Sequence, residues 1–221
     1  MTHTPRAVLF DLDGTLADST PLIAEAIASL LSDRDYSYTA AEIEPRIGPP
    51  LDDMLRDFLG VSQQEADALF REYTAHYRDY VERTPPMPGA EPLLDALAES
   101  DVAVALVTNK VERSAAALLE ALGWADRFEF VVGADTGPRP KPAADAALEA
   151  LRRLDVAPGD AAFVGDSEID MECGHNAGIP TVVGLARHRR PESLRAAGAT
   201  HTCASLDEVR AVLLGHLATA R

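Results

Sequence analysis

The chain has 221 residues, 47% of them hydrophobic, which suits one large domain or a core that carries a smaller insertion. Its formal net charge of −16 argues against nucleic acid and membranes as partners, because a field of that sign repels phosphate backbones and acidic headgroups. Residues 1–10 lack the apolar stretch of a secretory leader, and no apolar run is long enough to cross a bilayer, so we expect a cytoplasmic protein.

Short apolar runs predict strands at five places along the chain. Each run is about as long as a strand, and most are followed by a turn and then by a helical stretch rich in Ala and Leu. Strands that alternate with helices imply an α/β fold with a parallel sheet, and runs that are apolar throughout fit strands buried on both faces. The predicted strands are residues 7–10, 102–107, 128–132, 161–164 and 181–183.

The stretch between the first two strands contains helix signals and no convincing strand. Thr39 with Glu42, and Ser62 with Glu65, have the spacing of capping boxes. The sequence "TPPMPG" at 84–89 then breaks helix and returns the chain to the sheet. Because this insertion is longer than an ordinary crossover helix, we predict a helical cap over 17–84 and a core over 1–16 and 85–221. The helices expected in the cap are 21–32, 40–46, 51–59 and 63–81.

Polar side chains follow four of the predicted strands. Since the carboxyl ends of parallel strands line the ligand crevice of such a sheet, these side chains should meet there. Each stretch alone has an ordinary alternative as a turn, a helix cap or a solvated lysine, but their order and spacing together favour a site. The acidic cluster needs a cation, and oxygen ligands of this kind suit Mg²⁺. The side chains are Asp11, Asp13, Thr108, Asn109, Lys110, Lys141, Asp166 and Asp170.

Lysine is scarce, because Lys110 and Lys141 are the only two in the chain. A role that needs a lysine must therefore fall on one of them. Prolines on both sides of Lys141 stiffen its backbone, which favours a fixed position for that side chain.

Four stretches in this order resemble the motifs of the haloacid-dehalogenase-like superfamily of aspartate-nucleophile phosphatases. They are "LFDLDGT", "LVTN", Lys141 in "KPAAD", and "GDSEIDMECGHNAG", and the resemblance covers nearly the whole chain. It implies a Rossmann-like core, and it implies that the inserted helices are the cap that one subgroup carries between the first two motifs.

The resemblance also implies a role for each motif residue. Asp11 would be the nucleophile that forms an aspartyl-phosphate, and Asp13 the general acid and base. Lys141 would offset the charge of the phosphoryl group. Thr108 would hydrogen-bond a phosphoryl oxygen, helped by backbone N–H groups near Gly14 and Asn109. Mg²⁺ would be held by the side chain of Asp11, the backbone carbonyl of Asp13 and the side chain of Asp166, and Asp170 would be a second acid that supports the metal or its waters.

Within this superfamily, "LVTNK" and "RIGPPL" resemble phosphoglycolate phosphatases, so phosphoglycolate is the leading substrate. Asp13 separates the chain from the dehalogenases, and residues 17–84 contain no lysine of the kind that phosphonoacetaldehyde hydrolases use. A sugar-phosphate mutase is disfavoured but stays open, since Arg46 precedes the cap-loop glycine where mutases carry an Arg after it. A pyrophosphatase, a nucleotidase and a non-catalytic member that binds a partner or phosphorylated ligand also stay open.

Arg46 is the candidate contact for a substrate carboxylate, because Arg suits bidentate recognition. Its alternative is a solvated side chain at a helix end, where cations are favoured. Tyr73, Tyr77 and Tyr80 on the long cap helix are expected to pack against neighbouring helices. The expected partner is a small phosphorylated metabolite, and the chain would be a monomer or a homodimer.

Overall fold

The computed structural model describes residues 4–137 and 139–215. Within those ranges the chain forms one sheet of six strands, in the order β3-β2-β1-β4-β5-β6, and each neighbouring pair is parallel. The strands are β1 (Ala7–Phe10), β2 (Ala103–Val107), β3 (Val131–Val132), β4 (Ala161–Gly165), β5 (Thr181–Leu185) and β6 (His201–Cys203). The predicted α/β class with a Rossmann-like parallel sheet is confirmed.

The described helices alternate with the strands or lie in the insertion after β1. Four of them lie between β1 and residue 84: α1 (Thr20–Ser32), α2 (Ala40–Ile43), α3 (Leu51–Leu59) and α4 (Gln63–Val81). The other six are α5 (Ala90–Ala98), α6 (Glu112–Ala121), α7 (Asp145–Leu154), α8 (Glu168–Asn176), α9 (Pro191–Ala196) and α10 (Leu206–Leu214). None of the helices in the described part of the chain combines the length and apolar content that a membrane span requires.

Successive residues of β1 point to opposite faces of the sheet, as the two-residue repeat of a strand requires. Val8 and Phe10 belong to one buried cluster, which includes residues of α5, α6 and α10 and continues into the insertion. Ala7 and Leu9 belong to a second cluster, which includes residues of α7 and α8. β1 is therefore covered on both faces, and its carboxyl end is held at the middle of the sheet edge that carries the site.

The helices of the insertion begin where local signals place them. In both predicted capping boxes the glutamate accepts hydrogen bonds from the backbone N–H and the hydroxyl of the capping residue. The predicted helix at 40–46 ends as an α-helix at Ile43 and continues as a 3₁₀ turn over Glu44–Arg46, where Pro45 supplies no N–H. The division into a cap at 17–84 and a core at 1–16 and 85–221 stays a prediction.

Candidate active site

The loop after β1 brings Asp11 into contact with the end of β4. The Asp11 N–H donates to the Val164 carbonyl at 2.9 Å, and the residue is only 7% exposed. Gly14 turns the chain with a φ of +81°. A Cβ on Gly14 would lie 2.6 Å from Oδ2 of Asp166, so glycine is the residue that lets this carboxylate approach the loop.

A backbone N–H near Gly14 was expected to bind a phosphoryl oxygen, but the N–H of Gly14 itself has another partner. Its N–H donates to the Ala17 carbonyl at 2.8 Å, so that hydrogen is engaged within the loop. The structural contribution of Gly14 is the space and turn that it provides beside Asp166.

Lys141 joins two of the predicted acids. Its Nζ donates to Oδ1 of Asp11 at 2.7 Å and to Oδ1 of Asp170 at 2.6 Å, and its side chain is 3% exposed. The other oxygen of Asp170, Oδ2, accepts from the N–H and hydroxyl of Ser167, which begins α8. Lys141 and Asp170 are thus held in position on separate segments of the chain.

The side chain of Asn109 holds the backbone of Lys141. Its Oδ1 accepts from the Lys141 N–H at 2.9 Å, and its Nδ2 donates to the Lys141 carbonyl at 3.0 Å. The same Nδ2 donates to the carbonyl of Gly48 in the insertion at 2.9 Å. Asn109 therefore positions the lysine and also connects the core to the insertion.

Thr108 directly follows β2, beside these groups, and is 3% exposed. Its N–H donates to the Val132 carbonyl, and its Oγ1 accepts from the Lys110 N–H at 3.2 Å. Because Oγ1 accepts there, the hydroxyl hydrogen can be donated to an anionic oxygen in the cavity.

Three carboxylates lie close together at this end of the sheet, and two of them contact the Lys141 ammonium. Oxygens of Asp11, Asp166 and Asp170 all lie within 4.8 Å of one another. Burial raises the pKa of Asp11 to about 7, with Lys141 opposing the rise and Asp170 adding to it. Burial, followed by the charges of Asp170 and Asp11, raises the pKa of Asp166 well above its usual value. The cluster has more negative charge than Lys141 neutralises, and its hard oxygen donors fit a divalent cation such as Mg²⁺.

Burial alone would lower the pKa of Lys141, but the carboxylates of Asp11 and Asp170 raise it above its usual value. The side chain is therefore an ammonium at neutral pH. It provides a fixed positive charge 2.7 Å from the carboxylate of Asp11.

Asp13 is held by two partners at the edge of the same cavity. Its Oδ1 accepts from the hydroxyl of Ser19 at 2.5 Å, and its Oδ2 lies 2.9 Å from Nζ of Lys110. The sequence motifs imply no role for Ser19 or for the side chain of Lys110. The scarcity of lysine in the sequence could have marked Lys110 as a candidate functional residue, but it did not indicate which acid its ammonium would pair with.

The cavity lies between the core and the insertion at the carboxyl ends of the strands. On the core side it is lined by Asp11, Asp13, Thr108, Asn109, Lys110 and Asp166. On the other side Ile47, Gly48, Pro49, Pro50, Leu51 and Tyr73 line it. The stretch that contains the two prolines thus faces the predicted nucleophile, as a loop that covers a small substrate would.

Arg46 lies away from this constellation. It is exposed, its Nε donates to the Glu42 carbonyl at 3.2 Å, and its guanidinium carbon lies 4.3 Å from the centre of the Phe58 ring. It is not among the residues that line the cavity. This position matches the helix-end alternative and not a contact with substrate.

Tyr73 and Tyr77 are buried in the cluster that joins insertion and core, with ring centres 5.8 Å apart. The expected packing role is therefore observed. Tyr73 also lines the cavity.

The chain is similar to known proteins over most of its length. Residues 8–183 match the family model described as haloacid dehalogenase-like hydrolase. A phosphoglycolate phosphatase from Xylella fastidiosa is 36% identical over an alignment of 197 residues, and the match covers 85% of this chain and 83% of that protein. Phosphoglycolate phosphatase 1 from Pseudomonas aeruginosa is 34% identical over 80% of this chain and 68% of its own length. A crystal structure of a "predicted phosphatase" from Clostridium acetobutylicum matches with a TM-score of 0.85 and 25% identity, covering 96% of this chain and 99% of that chain.

Proposed function

The chain belongs to the haloacid dehalogenase-like hydrolases and is a phosphatase, a phosphoric monoester hydrolase; we propose that its substrate is phosphoglycolate and that Asp11 is its nucleophile. The observation that carries the proposal is the contact of 2.7 Å between Asp11 and the Lys141 ammonium, at a cavity that Asp13 and Thr108 also line. A carboxylate beside a fixed cation suits attack on a phosphoryl group, because the cation offsets the repulsion between the two anions.

Asp11 would attack phosphorus through its carboxylate. The bond from its oxygen to phosphorus forms while the bond from phosphorus to the leaving oxygen breaks, and water later hydrolyses the acyl phosphate. Lys141 would stabilise the negative charge on the transferring oxygens. Thr108 would donate its hydroxyl hydrogen to one of them.

Asp13 would move the protons. It would protonate the leaving oxygen in the first step and accept a proton from the attacking water in the second. Asp13 lies two residues after Asp11, and both line the same cavity, which supports a division of work between them.

The residues that would hold Mg²⁺ are Asp11, Asp166 and Asp170, together with the backbone carbonyl of Asp13. When bound, the ion would neutralise charge on the carboxylates and on the phosphoryl group. The raised pKa of Asp11 supports this role for a cation, because a charge close to that carboxylate would keep it ionised and ready to attack.

Phosphoglycolate is favoured over larger phosphate esters by two observations. The curated relatives that match at 36% and 34% identity carry that activity in their names. The stretch Gly48 to Leu51 covers the cavity opposite Asp11 and leaves a site suited to a small ester. A nucleotidase would need room for a nucleoside, whereas pyrophosphate is about as large as phosphoglycolate and is distinguished from it by assay.

The test is a panel of phosphate esters assayed with Mg²⁺ and with chelator. We expect phosphoglycolate to have the highest kcat/KM, with turnover lost on chelation, and the variant Asp11→Asn to abolish turnover while it folds like the wild type. Asp18→Asn is the matched control, because Asp18 lies in the same loop but does not line the cavity. Strong preference for nucleotides or pyrophosphate would overturn the substrate, and activity retained in Asp11→Asn would overturn the nucleophile. Absence of p-nitrophenyl phosphate hydrolysis would favour the non-catalytic alternative.

A further inference from the structure

We propose that Lys110 binds a carboxylate carried on the carbon next to the leaving oxygen of the substrate, and so selects carboxylated phosphomonoesters. This inference rests on the proposed function and names the residue that would give the site its preference. Lys110, on the core, would then make the carboxylate contact for which Arg46 was the candidate from sequence.

Lys110 occupies the right place for such a contact. It directly follows Thr108 and Asn109 at the end of β2, its side chain is 8% exposed, and it lines the cavity. Its backbone is fixed on both sides, since its N–H donates to Thr108 Oγ1 and its carbonyl accepts from the Ala134 N–H.

Among the described residues that line the cavity, Lys110 alone has a side chain that is positively charged at neutral pH. Lys141 lies deeper, with its Nζ engaged by Asp11 and Asp170. Arg46 packs on Phe58 outside the cavity. Any substrate carboxylate held in this cavity by a cationic side chain would therefore meet Lys110.

The surroundings of Lys110 hold its charge in place. A buried ammonium needs an anionic partner, and Asp13 supplies it at 2.9 Å. The ring of Tyr77 lies 4.9 Å from Nζ and stabilises the cation from another side. A substrate carboxylate could take over the position of Asp13 as the partner of this ammonium.

The structure of phosphoglycolate requires that the contact to its leaving oxygen and the contact to its carboxylate lie side by side. In phosphoglycolate one methylene group separates the leaving oxygen from the carboxylate. The group that protonates this oxygen and the group that binds the carboxylate must therefore be neighbours, as Asp13 and Lys110 are. When the substrate carboxylate pairs with Lys110, Oδ2 of Asp13 becomes available to the leaving oxygen.

The experiment compares phosphoglycolate with ethyl phosphate, in which a methyl group replaces the carboxylate, in the wild type and in Lys110→Met. Loss of one charge-assisted contact should lower the ratio of the two kcat/KM values by about 10- to 100-fold. Ser19→Ala is the matched control, because it removes the other partner of Asp13 and leaves the cation in place. It should change kcat/KM for both substrates by a similar factor and preserve their ratio.

A measurement on the wild type alone avoids any effect of the substitution on folding. The methyl ester of phosphoglycolate has the same skeleton without the negative charge, and its kcat/KM should fall by a factor similar to that caused by Lys110→Met. Equal turnover of the ester and the acid would overturn the inference, as would a loss in Lys110→Met that is the same for phosphoglycolate and ethyl phosphate.

Assays with other carboxylated phosphomonoesters distinguish a failure of this inference from a failure of the proposed substrate. If the wild type prefers another ester with a carboxylate next to the leaving oxygen, and Lys110→Met loses that preference, the inference holds and phosphoglycolate is the wrong substrate. If the wild type prefers esters without a carboxylate, both proposals are overturned. If phosphoglycolate is preferred equally by the wild type and Lys110→Met, the inference alone is overturned.

Discussion

Replacing Lys141 with Met should leave two buried carboxylates without their shared cation. Nζ of Lys141 lies 2.7 Å from Asp11 and 2.6 Å from Asp170, and the lysine is 3% exposed. Removing one partner of a buried ion pair costs about 3–5 kcal/mol, because the remaining charge is left uncompensated. In a protein of this size about 1 kcal/mol corresponds to 2–4 °C in melting temperature, so we expect Lys141→Met to melt about 6–20 °C lower.

The stability lost in Lys141→Met should increase as the pH rises. The folded-state pKa of Asp11 is raised to about 7, so the folded chain binds more protons than the unfolded chain between the two pKa values of this group. Stability therefore falls as pH rises through that window. Without the ammonium the pKa of Asp11 rises further, so the deficit of Lys141→Met should be larger at about pH 8 than at about pH 5.

Scanning calorimetry in chelator, at both pH values, measures this effect. Arg139→Met is the matched control, because it removes a cation two residues away whose side chain is 72% exposed and pairs with Asp145 at the surface. That variant should melt within about 2 °C of the wild type. Added Mg²⁺ should restore part of the stability that Lys141→Met loses. A melting temperature for Lys141→Met within about 2 °C of the wild type at the higher pH would show that Lys141 does not stabilise these carboxylates.

Two substitutions and one labelling experiment test separate parts of the structure. Gly14→Ala should destabilise the fold by about 1–2 kcal/mol and raise the Mg²⁺ concentration needed for turnover, because its φ is positive and the new Cβ would displace Asp166; an unchanged Mg²⁺ titration would contradict this. Arg46→Gln should change kcat/KM for phosphoglycolate by no more than about twofold, and a tenfold loss would place Arg46 in the site. Burial raises the pKa of Cys173 to about 12 and that of Cys203 to about 11, so both thiols stay neutral at about pH 8. Iodoacetamide should therefore label them only after unfolding, as measured by intact mass, and rapid labelling of the native protein would disagree.

Local signals predicted most of the fold. The apolar run 7–10 coincides with β1, and the helix predicted at 63–81 coincides with α4, because a buried strand and a capped helix are specified by neighbouring residues. β6 (His201–Cys203) was missed, since it has only three residues, two of them polar, and its pairing with β5 depends on distant parts of the chain. β3 was predicted at 128–132 but is only Val131–Val132.

The sequence predicted which strand ends meet at the site, but it predicted few of the contacts between the side chains there. Parallel strands bring their carboxyl ends together, so the motif spacing predicted that Asp11, Lys141 and Asp170 would be close. Their roles stay predictions. The pairing of Lys110 with Asp13, by contrast, depends on rotamers and on neighbours contributed by other segments, which no local pattern specifies.

Trapping the phosphorylated enzyme tests whether Asp11 is the nucleophile. The wild type would be quenched in acid during turnover of phosphoglycolate with Mg²⁺, digested, and analysed by mass spectrometry. We predict one phosphoryl group on the peptide that contains Asp11, removed by hydroxylamine and absent from Asp11→Asn. A phosphoryl group on any other residue, or continued turnover by Asp11→Asn, would contradict the account.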